Sequence, residues 1–299
     1  MTDAAKTSGK TPALRSLTDI ATSPSIGLAL GGGGARGLAH ILMLEALQEL
    51  GLKPSLIAGT SIGGVFGAAY AAGLNPQDIR AQSEEILGAR FDLLRQLFAA
   101  RSDPVSKLLN LLPVRGALLK AEALLELVMP TAIPDDFASL ELPLTIVATD
   151  YYAQQPAIFT SGPLRTAIAA SMALPAIFSP VMINDRAHMD GGLVNPLPFD
   201  LLEGCDLTIA IDVTGSSRAG RAGKPPSALS ALVASSQIFQ NSIVREKLRA
   251  TRPDIYIDVG VNQFHVLEFH KYAAILRAAE PAKDKLKRQL DKLLCGRRL

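Results

Sequence analysis

Ser61 stands in the pattern Gly59-x-Ser61-x-Gly63, after a short apolar run and before a small-residue segment. Small neighbours at those two places let a sharp strand-to-helix turn present a hydroxyl without obstruction, as a nucleophile elbow requires. Thr60 or Ser61 could equally cap the helix that follows. The spacing alone leaves both readings open.

Upstream lies Gly31-Gly32-Gly33-Gly34-Ala35-Arg36-Gly37, between an apolar run and a helical pattern. Backbone N–H groups in such a loop, at the positive end of a helix, suit an anion. Read as a dinucleotide fingerprint, Gly32-x-Gly34-x-x-Gly37 should be followed roughly 20 residues on by an acid that holds a ribose. No acidic residue occurs between Glu49 and Asp78. A phosphate-binding P-loop needs Gly-Lys-Ser/Thr, which is also missing. A plain tight turn needs only one or two glycines, whereas four in succession indicate close approach of backbone to something. Beside a serine nucleophile, that something is an oxyanion.

A serine alcohol needs a base, and two arrangements are on offer. Asp190-Gly191-Gly192 follows Arg186-Ala187-His188-Met189 and places a carboxylate on an unobstructed loop; its plain reading is an Asp-Gly turn. Alternatively, Ser61, then Asp212 or Asp258, then His265 follows the chain order of α/β-hydrolases. Against that order, only two strands precede Ser61, and His265 lacks glycine punctuation. His40 falls one turn into the first helix, and His188 would share a strand face with Asp190.

These residues need elements to position them. Ile26, Leu28, Ala29 and Leu30 read as a buried strand, and the glycine loop leads into a helical pattern through Leu38, Ile41, Leu42, Leu44 and Leu47, ended by Gly51. A second strand near Leu56 to Ala58 runs through Ser61 into a small-residue helix to about Ala72. Strand, helix, strand, helix is the start of a parallel sheet. From about residue 76 to 140, leucines at helical spacing broken by Pro104, Pro113, Pro130 and Pro134 read as a helical insertion. Further strands are expected at Leu144 to Ala148, Ala157 to Phe159, Val181 to Ile183, Leu207 to Val213 and Asp254 to Val259. A Gly/Ser/Pro/basic loop from Gly215 to Ser227 precedes a helix to Ala250. The expected fold is α/β, a three-layer α/β/α domain over a mainly parallel sheet, spanning 25–299 behind a flexible leader, 1–24.

With 30 basic and 28 acidic residues among 299, the formal charge of +2 offers no global field for nucleic acid. A hydrophobic content of 48% is too high for a disordered chain. Cys205 and Cys295 form no disulfide framework and no metal pattern, and no stretch reads as a signal peptide or spanning helix. A cytoplasmic protein follows. Residues 271–299 carry nine Lys/Arg against three acids, and Pro281 can open a helix, about 281–295, with Leu286, Leu290, Leu293 and Leu294 in one stripe. That helix either meets anionic lipid at a membrane periphery or docks on the sheet with a solvated basic face, the favoured reading. The leucine-rich stretch from Phe91 to Val128 likewise lines an acyl pocket or is core.

Together, Gly32-Gly33-Gly34-Ala35-Arg36-Gly37, Gly59-Thr60-Ser61-Ile62-Gly63 and Asp190-Gly191-Gly192 resemble the patatin-like phospholipases, in order and spacing. Ala170-Ser171-Met172-Ala173-Leu174-Pro175 resembles a further block of that family, and the resemblance covers about Ser25 to Val213. It implies a Ser61–Asp190 dyad without catalytic histidine, and an oxyanion hole around Gly32, Gly33 and Gly34, with Arg36 and Gly37 supporting that loop. It further implies hydrolysis of lipid acyl esters with no metal or organic cofactor. An acyltransferase or thioesterase using the same serine, and a catalytically idle regulatory protein on this fold, are the rival expectations. Head group, chain length and oligomeric state are left open.

Overall fold

The computed structural model describes residues 24–89, 119–130, 132–175, 177–215 and 228–296. Nearly all of the expected leader, the leucine-rich stretch as far as residue 118 and most of the Gly215 to Ser227 loop lie outside them.

The strands are β1 (Ile26–Leu30), β2 (Leu56–Thr60), β3 (Leu144–Asp150), β4 (Gln155–Phe159), β5 (Val181–Ile183), β6 (Arg186–Asp190), β7 (Leu207–Asp212) and β8 (Ile255–Asp258). The helices are α1 (His40–Glu49), α2 (Ile62–Ala71), α3 (Pro76–Ala89), α4 (Ala121–Val128), α5 (Leu164–Met172), α6 (Ala228–Ala250) and α7 (Tyr272–Gly296). The pairing order is β5-β6-β3-β2-β1-β7-β8, with β4 also on β3. β3, β2, β1, β7 and β8 are mutually parallel, whereas β4 and β6 run antiparallel to β3.

The pleat sorts the strands' side chains into two layers. Ile26, Leu28 and Leu30 face the main core with Ile209, Ile211, α1, α2 and α7. Ala29, Ala58 and Ala210 face the other way, where small side chains let Leu197, Phe199 and Val244 of α6 come close. α1 is buried nearly all round, from His40 to Leu47, as expected of a helix apolar on every side and enclosed between layers.

Two sequence expectations change. Asp190, expected on a loop after a run given no strand of its own beyond the shared face of His188 and Asp190, is the last residue of β6; Arg186-Ala187-His188-Met189-Asp190 carries no β-branched or aromatic residue to mark it as a strand. Pairing with β3 and β5 makes it a strand. The terminal helix starts at Tyr272, not Pro281, which lies inside it. Leu286 and Leu290 of that helix are fully buried, and Lys283 and Lys287 bond Glu45 and Glu49 of α1, so α7 is docked.

Candidate active site

β3 has two edges, and their occupancy builds the site. β4 takes one edge from Ile146 to Asp150. Both β2, whose Thr60 pairs with Val147, and β6, whose Asp190 pairs with Ala148, must therefore use the other. β2 arrives parallel and β6 antiparallel, so their C-terminal ends meet head to head. Ser61 and Asp190 converge at that junction, and Ser61 Oγ donates to Asp190 Oδ2 at 2.8 Å.

Ser61 is held at φ 53°, ψ −124°, a region that side-chain-bearing residues avoid. Strain of this kind costs about 1–3 kcal/mol and persists only where the surroundings over-determine it. Gly63 shows how tight they are: a Cβ there would stand 2.1 Å from the Leu30 carbonyl oxygen. At Gly59 a Cβ would lie 2.7 Å from the backbone of Gly63 and Gly64. Ser61 N–H donates to Ser171 Oγ at 2.7 Å, and Ser171 donates in turn to the Val147 carbonyl at 2.5 Å. Side-chain capping of α2, the alternative role for Thr60 or Ser61, does not occur; Thr60 Oγ1 bonds the Asn195 carbonyl instead.

Asp190 is 4% exposed, its Oδ1 accepts from Gly192 N–H at 2.7 Å, and its carbonyl accepts from Thr149 Oγ1. Burial pushes its carboxyl up to about 6, against the smaller opposing effect of the hydrogen bonds from Gly192 and Ser61. Such a carboxylate is a far better proton acceptor than an exposed one, yet still ionised at neutral pH. Gly191 packs against Val147, where a Cβ would meet the carbonyl oxygen at 2.1 Å.

The glycine loop lies beside this pair. Gly31 and Gly32 spend their N–H groups on the Ile211 and Pro196 carbonyls at 3.0 and 2.9 Å. Gly32 therefore differs from its expected role, since its amide is already bonded; it instead packs on Ser61. Among the described residues, the amides of Gly33 and Gly34 have no hydrogen-bond acceptor, and both glycines line the cavity that holds Ser61 and Asp190. Gly34 has φ +57° and sits against the Val266 carbonyl. Arg36 is buried and bonds the Thr214 carbonyl through Nη1, tying the loop to the end of β7, while Gly37 abuts Ile62. His40 anchors the loop from the other side, Nε2 to the Gly31 carbonyl at 2.9 Å. Burial lowers its pKa to about 4.

The histidine arrangement does not assemble at Ser61. His265, Asp212 and Asp258 line a separate cavity of about 780 Å³ with Arg36 and Tyr256. Asp212 is engaged by Thr214 and Tyr256, and His188 bonds the Arg186 carbonyl. Ser171 and Thr149, which fix Ser61 and Asp190, had no role assigned from sequence; a hydroxyl fully buried in the alanine-rich α5 is the signal for the former.

An apolar cavity lined by Leu38, Val65, Phe66, Ala69 and Ile79 shares Ile62, Leu124, Met172 and Phe269 with the Ser61 cavity. The arrangement couples a buried carboxylate to a strained serine, beside free amides and an apolar compartment.

A family model described as patatin-like phospholipase matches residues 28–203. The chain belongs to the patatin-like phospholipase family. An uncharacterized NTE family protein of Mycobacterium tuberculosis (strain H37Rv) is 36% identical over 197 residues, 65% of this chain and 51% of that protein. Patatin-like phospholipase domain-containing protein 6 of Homo sapiens is 33% identical over 201 residues, 66% of this chain and 14% of that protein. Neuropathy target esterase sws of Drosophila melanogaster is 32% identical over 196 residues, 64% of this chain and 13% of that one. This patatin-like chain thus spans about half the length of the mycobacterial relative and far less of the animal ones. Among solved structures, VipD from Legionella pneumophila aligns with a TM-score of 0.47 at 17% identity, covering 90% of this chain and 67% of that chain.

Proposed function

We propose that this patatin-like chain is a serine hydrolase of lipid acyl esters, working through a Ser61–Asp190 dyad and an acyl-enzyme. The observation that carries the reading is the 2.8 Å hydrogen bond from a conformationally strained serine to a buried carboxylate with raised proton affinity. Ser61 Oγ attacks the ester carbonyl while its proton passes to Asp190 Oδ2. The tetrahedral oxyanion is met by the amides of Gly33 and Gly34, each such donor contributing about 3 kcal/mol. Collapse expels the alcohol, which takes the proton from Asp190; Asp190 then deprotonates water, and the attack of that water frees the acid and restores Ser61. The apolar cavity beyond Ile62 and Met172 supports a long acyl group as the part of the substrate that is held.

The test is labelling with a serine-directed fluorophosphonate, together with hydrolysis of acyl esters and product analysis. Labelling and turnover in the unaltered chain, both lost in Ser61→Ala, are expected. No labelling would overturn the reading and favour a non-catalytic role, and preferential transfer of the acyl group to an added alcohol or thiol would make the chain a transferase.

A further inference from the structure

The mouth of the Ser61 cavity lies at one end of the sheet, and the chain rises past it. β3 continues beyond Val147, the partner of Thr60, to Asp150, so the turn after β3 stands about 13 Å past the end of β2 at about 3.3 Å per residue. The β5–β6 hairpin rises on the same side, because Asp150 pairs with His188 and Ile183 with Arg186. The tips carry Tyr151 and Tyr152, 52% and 62% exposed, and Met182, 58% exposed. They are held firmly: Asp150 Oδ1 accepts from the N–H groups of Tyr152 and Ala153, Arg186 bridges to Asp150 at 2.6 Å, and the two tyrosine rings meet edge to face. The ion pair at the base is neutral, and the hairpin turn adds the exposed carboxylate of Asp185.

The opposite flank repeats the pattern. Leu267, 38% exposed, lines the Ser61 cavity itself, and Phe239 is exposed on α6 between Gln237 and Gln240, which also line it, while the adjacent Ile238 faces the separate cavity with His265. Large apolar groups at such exposure on both sides of one opening are more than scattered surface residues.

The basic helix is elsewhere. α1 begins at His40 beside Gly31 and ends at Glu49, at the opposite end of the sheet. α7 begins just after Phe269, which lines the Ser61 cavity, and reaches Glu45 and Glu49 through Lys283 and Lys287. The exposed Arg288 and Lys292 therefore lie at the end remote from Ser61.

We propose that the rim formed by Tyr151, Tyr152 and Met182 on one flank and Phe239 and Leu267 on the other docks on a lipid surface. The proposal rests on the lipid-ester reading for the choice of occupant. Docking is apolar: aromatic side chains enter the interfacial region, the mouth faces the lipid, and the basic helix points away. An ester bond then reaches Ser61 without its acyl chain crossing water.

The experiment is co-sedimentation of the full chain with phosphatidylcholine vesicles, with and without phosphatidylglycerol. Both should bind it, and about 0.5 M salt should change little, because the contact is not electrostatic. Tyr151→Ser with Tyr152→Ser should weaken binding about tenfold or more, while turnover of a soluble short-chain ester, which needs no surface, is retained. Met182→Ser with Phe239→Ser gives the same readout should the tyrosine pair prove necessary for folding. Arg288→Glu with Lys292→Glu should leave vesicle binding intact. Unchanged binding in both rim variants, or loss caused by salt or by the Arg288/Lys292 change, would overturn the proposal, as would a rim change that abolishes self-association in place of vesicle binding. A chain that binds vesicles through the rim but cleaves no ester would overturn the hydrolase reading alone; one that cleaves soluble esters and ignores vesicles would overturn docking alone.

Discussion

Thr60 and Asp190 end two strands that meet head to head on one edge of β3, paired with the consecutive residues Val147 and Ala148. Nothing between them separates the next residue, Ser61, from the carboxylate. The Ser61–Asp190 hydrogen bond is a product of sheet topology, with side-chain choice added at a junction the backbone has already made.

Ser61→Ala and Ser61→Gly should both be inactive toward esters and fluorophosphonates, but they should differ in stability. The left-handed conformation at φ 53° penalises any Cβ. Ser61→Gly should therefore exceed Ser61→Ala by about 1 kcal/mol in denaturant unfolding, despite the greater entropy of an unfolded glycine. Equal stabilities would show that the turn is not strained.

Asp190 gives a two-sided pH prediction. In the proposed role of base it must be ionised, so kcat/KM should fall about tenfold per pH unit below about 6. Its folded pKa lies above the unfolded value, so the native state binds more protons between about pH 4 and 6. Stability contributed by this group therefore falls as pH rises through that window. Asp190→Asn should be inactive yet more stable at pH 7 by up to about 3 kcal/mol, the advantage vanishing near pH 4. Thermal unfolding across pH checks it.

His40 works in the other direction. Its folded pKa of about 4 lies below the unfolded value of 6.5, so the unfolded state binds the extra proton, and stability is lost as pH falls from about 6.5 toward 4, by up to about 3 kcal/mol. His40→Gln, which can still donate to the Gly31 carbonyl, should flatten that acid limb. His265→Ala and His188→Ala should each keep substantial esterase activity; a His265→Ala chain as inactive as Ser61→Ala would restore the histidine arrangement.

The glycine loop separates chemistry from architecture. At Gly32 a Cβ would meet Ser61 Cβ at 3.4 Å, an ordinary contact, so Gly32→Ala should fold within about 1 kcal/mol of the parent and lose kcat by crowding the attacking serine. Gly34→Ala, at φ +57° and 2.2 Å from the Val266 carbonyl oxygen, should cost about 2–4 kcal/mol. At Gly33 the 2.7 Å approach to the Val213 carbonyl oxygen forces the backbone to move, so an alanine there disturbs the fold as well as the chemistry. Unfolding curves beside steady-state kinetics tell these apart.

Ser171→Ala should orphan two buried groups, Ser61 N–H and the Val147 carbonyl, costing about 2–3 kcal/mol. Because the freed amide belongs to Ser61, kcat should drop more than KM rises. A loss confined to KM would place Ser171 in substrate holding.

The strands at Ile26–Leu30 and Leu207–Asp212 are legible because buried parallel strands are continuous apolar runs, and Ser61 is legible because an elbow demands glycines at fixed offsets. β6 is not, since its strand character comes from partners rather than its own residues. The engagement of Gly32 by Pro196 was equally hidden: it depends on a backbone contact spanning most of the family-matched region. Pro281 reads as a helix start because proline favours first turns, yet the preceding Tyr272 to Glu280 segment is itself helical and docked.

The head-to-head junction also bears on when the chain becomes reactive. Ser61 and Asp190 are 129 positions apart in sequence, and β2 and β6 must both be seated on β3 before the hydroxyl meets its base. Contacts of such separation form late, since long loops must close first. A chain emerging from synthesis or refolding from denaturant carries every residue of the proposed dyad and should show none of its reactivity until that seating is complete. Recovery of fluorophosphonate labelling during refolding is thus a clock for the last step of assembly, and it should lag the return of helical signal from α1 and α7.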